Sequence, residues 1–219
     1  MGRIPSPIPA ARGLPDWLRT MPAEAFSALV DGVDDTLKRC PPFVDAMSEG
    51  FLIPLVSDLH VRDGAFTWDA DWPEERSLPY PRAPIGLHDP AQTTGTPFHD
   101  PDAFTVKLHN LWTLEAPRGW SVLFTHPVNR EDLPFRTLTG LVDCDRYRDG
   151  FIHFPAVWRD MGFTGTLPAG TPIAQAFPIR RDRLAHVIAP MSPAQTQAAR
   201  DLAVEMGRER GVYRKRFRR

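Results

Sequence analysis

Cysteine is scarce in this chain of 219 residues, which contains only Cys40 and Cys144. Two widely separated thiols cannot build a disulfide scaffold or a four-thiolate zinc site. No apolar run approaches the roughly 18–20 residues that a membrane-spanning helix needs, and residues 1–14 lack the apolar segment of a signal peptide. These absences predict a cytoplasmic protein that does not contact a membrane.

Net charge is also nearly absent, since 26 Lys and Arg face 27 Asp and Glu. This balance argues against nucleic acid as a partner, because such proteins carry an excess of basic residues. The sequence has no glycine-rich phosphate loop, no Gly-x-Ser-x-Gly elbow and no His-Glu-x-x-His pair. Cys144 lies between two aspartates whose charge raises the pKa of a thiol and opposes a nucleophilic role.

Proline is abundant instead, with 24 copies, about twice the usual share of roughly 5%. Each proline fixes φ and lacks an N–H, which limits long helices. Short apolar stretches bounded by turn residues predict a hairpin around Asp63 and Gly64, a second hairpin from 105 to 124, and further strands at 138–142, 150–154, 171–177 and 184–188. This pattern predicts a mainly β fold: an antiparallel barrel, a jelly roll or a relative of these.

Helices are predicted only near the two ends. Apolar spacing of three and four residues predicts helix at 16–18 and 22–30, and Pro41 opens a short helix that ends before Gly50. A capping box at Ser192 begins a C-terminal helix. We therefore expect an N-terminal arm with helices at 1–50, a β domain at 51–190 with a long loop at 69–102, and a C-terminal helix with a basic tail at 191–219.

Histidine is the residue type that suggests a metal site. Asp58 and His60 lie at an i, i+2 spacing, which places both side chains on one face of a strand. His88 or His99 from the long loop could complete a set of ligands for iron or manganese. The alternative for each histidine is an ordinary surface or hydrogen-bonded side chain.

One segment carries a pattern typical of a known superfamily. Residues 140–150 read as a strand and an acidic turn, Gly-Leu-Val-Asp-Cys-Asp-Arg-Tyr-Arg-Asp-Gly, and residues 170–175 read Gly-Thr-Pro-Ile-Ala-Gln. This pair resembles the third and fourth motifs of the dUTPase and dCTP deaminase superfamily. The turn is one residue longer here, and Pro117-Arg118-Gly119 is a partial match to that superfamily's Pro-Arg-Ser-Gly segment.

The resemblance implies a β-clip fold and an anionic small-molecule ligand such as a nucleotide. By position it implies that Asp143 activates a water, that Tyr147 stacks on a sugar and that Gln175 lies beside a phosphate. Magnesium would accompany a nucleotide in such a site, and the superfamily's trimers imply a homo-oligomer. Arg118 and the aromatic Trp72 of the long loop are further candidates for ligand contact.

The whole chain, including Cys40-Pro41-Pro42-Phe43 and the segments 120–127 and 170–175, also looks similar to an uncharacterised family of bacterial and phage proteins, a resemblance that implies no activity. Three hypotheses follow from the sequence. The first is a dUTPase-like β domain that binds an anionic ligand, with hydrolysis left open. The second is a non-haem iron or manganese enzyme, and the third is a non-catalytic assembly or phage-related structural protein.

Overall fold

The computed structural model describes residues 4–69, 83–100, 105–182 and 184–218. Two compact units are present, and each is built from two separate segments of the chain. Unit 1 contains residues 1–19 and 46–181, and unit 2 contains residues 20–45 and 182–219. The sequence predicts three consecutive segments. Unit 2 instead combines a segment near the N-terminus with a segment near the C-terminus of the chain.

Strands account for about 30% of the residues and helices for about 22%. The elements in chain order are β1 (Ile8–Pro9), α1 (Asp16–Thr20), β2 (Glu24–Ser27), β3 (Gly32–Asp35), α2 (Pro41–Ser48), β4 (Phe51–Pro54), β5 (Leu59–Arg62), β6 (Ala65–Trp68), β7 (Ile85–Leu87), β8 (Thr105–Leu108), β9 (Trp120–Thr125), β10 (Phe135–Thr137), β11 (Gly140–Val142), β12 (Phe154–Trp158), β13 (Gly165–Leu167), β14 (Pro172–Arg180), α3 (Pro193–Arg208) and α4 (Val212–Arg216). The mainly β prediction is confirmed.

Four antiparallel sheets contain these strands, and the described part of the chain forms no closed barrel. In unit 1 the sheet orders are β1-β4-β14-β9-β11, β10-β12-β8-β7 and β13-β5-β6. In unit 2, β2 pairs with β3 as an isolated hairpin.

The three sheets of unit 1 share one hydrophobic core. Along β12, Phe154, Ala156 and Trp158 alternate inward, as a half-buried strand requires. The ring of Phe154 lies 5.2 Å from Phe124 of β9, and Trp158 lies 4.9 Å from Phe66 of β6. These aromatic contacts join the three sheets. Cys144 is fully buried in the same core.

Several local predictions are confirmed. The hairpin at Asp63 and Gly64 joins β5 to β6, and both turn residues have positive φ. α1, α2 and α3 form as expected, and Ser192 and Gln195 make the predicted capping box. Gly50 adopts φ of +72° after α2.

The predicted helix at 22–30 is wrong, because this segment forms β2 and the turn of a hairpin. The predicted second hairpin is also wrong, because β8 pairs with β7 and β12, while β9 pairs with β11 and β14. Residues 184–188 form no strand. The basic tail folds as the short helix α4, so the C-terminus carries two helices rather than one.

The long loop predicted at 69–102 is only partly described. Its residues 85–87 form β7, which pairs with β8, so the segment contributes to a sheet. None of the helices in the described ranges has the length and apolarity needed to cross a bilayer.

Candidate functional site

The acidic turn after β11 is the first candidate site. β11 pairs with β9 in register, Val142 opposite Val122, so the turn begins beside the start of β9. The backbone N–H groups of Arg146 and Tyr147 both donate to the carbonyl of Asp143 at 2.9 Å. These bonds close the turn that carries the predicted aspartate and tyrosine.

Arg181, which follows β14, joins both carboxylates of the turn. Its guanidinium lies 2.6 Å from Oδ1 of Asp143 and also pairs with Asp145. The Ser121 hydroxyl donates to the same Asp143 oxygen at 2.7 Å, and the N–H of Gly119 donates to Asp145 at 2.8 Å. The turn is therefore fixed to the start of β9 and the end of β14.

These contacts lower the pKa of both carboxyl groups. For Asp143 the largest cause is the hydroxyl of Ser121, followed by the guanidinium of Arg181. For Asp145 the largest cause is Arg181, followed by the N–H of Gly119. A carboxylate with a lowered pKa is a weak base. As held here, Asp143 braces the turn and is poorly matched to deprotonating a water at neutral pH.

Tyr147 lies on the outer side of this turn. Its side chain is 51% exposed, and its hydroxyl donates to the carbonyl of Phe151 at 3.4 Å. A Cβ at Gly150 would lie 2.3 Å from the tyrosine ring, so the ring rests on the glycine. The ring is thus available to a ligand while its position depends on Gly150.

Arg118 lies in the loop that packs against the turn. The N–H of Ala116 donates to the carbonyl of Cys144 at 3.3 Å, and Gly119 bonds Asp145 as described above. Arg118 and Arg146 are both exposed on these two adjoining loops. The structure therefore brings Arg118, Asp143 and Tyr147 to one end of the five-stranded sheet.

Gln175 is not part of that group. It lies six residues before Arg181, a separation of roughly 20 Å along β14 at about 3.3 Å per residue. Its buried amide donates to the carbonyls of Ala46 and Glu49 at 3.1 and 2.7 Å and accepts from the N–H of Val128 at 2.9 Å. All of these partners are backbone groups, so Gln175 ties β14 to the C-terminal end of α2 and to the loop after β9.

The predicted metal ligands lie apart. Asp58 accepts from the N–H of Ala169 at 2.6 Å, and His60 contacts Thr166 and Asp69. His88 contacts Gln92, and His99 contacts Thr93. Within the ranges that the structure describes, no group of three or more His, Cys, Asp or Glu side chains is placed to hold a metal ion. The four residues therefore do not meet at a common centre.

Trp72 lies outside the described residues. Two further arginines of unit 1, Arg130 and Arg136, are paired within the chain. Arg130 lies 2.8 Å from Asp132, and Arg136 lies 3.6 Å from Glu131.

The second candidate site is in unit 2, where large apolar side chains face solvent. On the β2–β3 hairpin, Phe26, Leu29, Val30 and Val33 are all exposed, and Leu29 is 98% exposed. The turn of this hairpin, residues 28–31, is here called the hairpin tip. Sequence reasoning missed it, although Asp31 and Gly32 repeat the Asp-Gly signal that located the first hairpin.

The segment before α3 is exposed in the same way. Leu184, Val187, Ile188 and Met191 face solvent in a stretch without helix or strand. α3 itself has no buried residue. Among the described residues of unit 2, Val212 alone is buried.

A cleft of about 690 Å³ lies within unit 2, between α4 and the segment that follows β3. We call it the basic cleft, because its lining contains six cations and two carboxylates among apolar side chains: Asp35, Lys38, Arg39, Pro41, Val44, Met206, Glu209, Arg210, Gly211, Val212, Tyr213, Arg214, Lys215 and Arg218.

Four of these cations are paired inside the unit. Arg39 and Arg210 both contact Glu24 and Asp35 of the hairpin. Lys215 pairs with Glu209, and Arg218 pairs with Asp45. Ion pairs therefore fix much of the cleft lining, and the lining has a moderate excess of positive charge.

Comparison of the chain with protein-family models, with curated proteins and with solved structures gives no match.

Proposed function

We propose that this chain is a self-assembling structural protein and that unit 2 makes the contacts between copies. The observation that carries the proposal is the exposure of large apolar side chains in unit 2, whose described residues include a single buried one, Val212. Contiguous exposed apolar side chains, as on the β2–β3 hairpin, mark protein–protein interaction sites in soluble proteins.

The size of unit 2 supports the same conclusion. Even a domain of about 60 residues with a regular core buries only about 60% of its unfolded surface and is marginally stable. Unit 2 is of that size class and lacks such a core among its described residues, so burial against another chain would supply what the fold itself does not. The braced state of Asp143 supports a non-catalytic role for unit 1.

Sedimentation velocity over a range of protein concentrations tests this proposal. We expect oligomers for the native chain and a shift toward monomer for the double variant Val187→Asp/Ile188→Asp. Leu87→Asp is the matched control, because Leu87 is an exposed apolar residue of unit 1. A native chain that sediments as a monomer at every concentration would overturn the proposal.

A second candidate function is the binding of an anionic ligand, such as a nucleotide, by a β-clip-like unit 1. The observation that favours it is the exposed ring of Tyr147 on a turn that also carries the exposed Arg146 and that packs against the loop of the exposed Arg118. Two cations and a ring suit a phosphate ester with a planar or sugar group. The resemblance of residues 140–150 to the third motif of the dUTPase superfamily supports the same assignment.

Thermal unfolding with dUTP and magnesium tests this second function. We expect a rise in Tm that Tyr147→Ala and Arg118→Ala abolish. Arg62→Ala, which changes a cation on β5 away from the turn, should leave the rise intact. An equal rise in all variants would place the ligand elsewhere.

A further inference from the structure

The hairpin tip and the basic cleft have complementary chemistry. Between residues 20 and 37 the chain has four carboxylates and no Lys or Arg, whereas residues 208–218 have six Lys or Arg and one Glu. The tip joins this negative charge to the exposed side chains of Leu29 and Val30. The cleft joins positive charge to the apolar side chains of Val44, Met206 and Tyr213.

Charges remain available on both surfaces. Within the described residues, neither Asp31 nor Asp34 forms an ion pair, and Arg214 in the cleft forms none either. Asp34 only accepts a hydrogen bond from the N–H of its neighbour Asp35 at 2.8 Å. The two surfaces can therefore exchange new ion pairs without breaking those that hold unit 2 together.

The hairpin tip is held away from the cleft of its own chain. Asp35, at the end of β3, lines that cleft through its contacts with Arg39 and Arg210. Asp31 lies four residues earlier, roughly 13 Å along the strand at about 3.3 Å per residue. Since β2 and β3 remain paired between these points, the tip can fill a cleft only on another copy.

We infer that the hairpin tip of one copy docks into the basic cleft of the next, an inference that rests on the proposed assembly function and specifies its contact. The tip and the cleft are different surfaces, so the contact is heterologous and produces a ring or a filament. The modest excess of cations in the cleft suits the single carboxylate of the tip better than the continuous charge of a nucleic-acid backbone.

Charge exchange tests the contact. Asp31→Lys on the tip and Arg214→Glu in the cleft should each weaken association by about tenfold or more in sedimentation velocity, because like charges then face each other. The double variant Asp31→Lys/Arg214→Glu should recover association, since the opposite charges meet again. Arg200→Glu on exposed α3 is the matched control and should associate like the native chain. Far-UV circular dichroism checks that each variant is folded.

The outcomes separate this contact from the assembly function itself. If both single variants associate normally while Val187→Asp/Ile188→Asp dissociates, the tip-to-cleft contact is overturned and the assembly function stands. If the native chain is monomeric, both are overturned. Binding of a single-stranded oligonucleotide at physiological ionic strength, lost in Arg214→Glu, would assign the cleft to nucleic acid and also overturn the contact.

Discussion

Arg181 places one guanidinium nitrogen 2.6 Å from the carboxylate of Asp143 and joins β14 to the turn after β11. The same guanidinium holds Asp145, whose side chain is only 5% exposed. Oδ1 of Asp145 is buried and has no hydrogen-bond partner among the described residues. The arginine is therefore the main group that compensates the charge of this turn.

Replacing Arg181 should loosen the turn. In Arg181→Met two neighbouring carboxylates lose their shared cation, and we expect Tm to fall by several degrees at neutral pH. Arg146→Met is the control, because Arg146 is exposed and lies in the same turn.

The fall in Tm caused by Arg181→Met should depend on pH in a defined direction. The folded pKa of Asp143 and Asp145 is lowered from 3.8, so their stabilisation is complete above that pH and is lost as the pH falls below it. Thermal melts from neutral to strongly acidic pH should therefore converge for the native chain and Arg181→Met. A difference in Tm that stays constant at low pH would contradict this role.

His153 should make the fold sensitive to mild acid. Burial, and next the charge of His109 with its ring 4.8 Å away, lower the pKa of His153 from 6.5 to about 4. Between these two pH values the unfolded chain binds a proton at His153 that the folded chain does not bind. The free energy of unfolding therefore decreases as the pH falls from 6.5 toward 4. The slope approaches about 1.4 kcal/mol per pH unit for one proton.

Urea unfolding across this pH range measures the effect. His153→Asn keeps an acceptor for the N–H of Asn110, which lies 3.3 Å from Nδ1 of His153, and should flatten the dependence. His186→Asn, at an exposed position, should not. A slope that is the same in all three proteins would exclude His153 as its source.

Gln175→Leu should lower the free energy of unfolding by about 2–4 kcal/mol, because it leaves the half-buried N–H of Val128 and two carbonyls without their partner. Chemical denaturation measures this loss. Gln197→Leu on exposed α3 should change stability by less than about 0.5 kcal/mol. If Gln175→Leu leaves stability unchanged and alters only ligand binding, the residue serves a ligand instead.

Two glycines with the same backbone conformation should respond differently to alanine. Gly50 and Gly64 have φ of +72° and +74°. A Cβ at Gly50 would lie 2.1 Å from the carbonyl oxygen of Ala176, whereas nothing lies within 4 Å of a Cβ at Gly64. Gly64→Ala should cost about 1–2 kcal/mol from its φ alone, and Gly50→Ala about 3 kcal/mol or more. Equal losses in denaturant titrations would contradict the close approach at Gly50.

Local sequence signals correctly predicted the elements whose residue pattern is compatible with only one backbone conformation. The capping box at Ser192 and the Asp-Gly turn at residues 63–64 each define a backbone conformation through neighbouring residues. The spacing of Phe26, Leu29, Val30 and Val33 has two meanings, because it matches one face of a helix as well as an exposed hairpin. The helical interpretation assumed that these side chains are buried, and in the structure they are exposed.

Contacts between distant residues could not be predicted in this way. Arg181 is 36 positions from Asp145 and 60 from Ser121, and nothing in the local sequence of either indicates the other. The resemblance to the dUTPase motifs placed Asp143 and Tyr147 on a turn, which the structure also has. It gave no indication that an arginine after β14 neutralises that turn.

Because unit 2 is built from two distant segments, its ion-pair partners are synthesised at different times. The β2–β3 hairpin is complete early in synthesis, but Arg210, which holds its Asp35, is 175 positions further on. At roughly 5–20 residues per second, the delay is on the order of 10–35 s. During that interval the acidic, apolar hairpin has Arg39 but not Arg210 as an ion-pair partner, and on a crowded polysome the basic tail of a finished copy could reach it first.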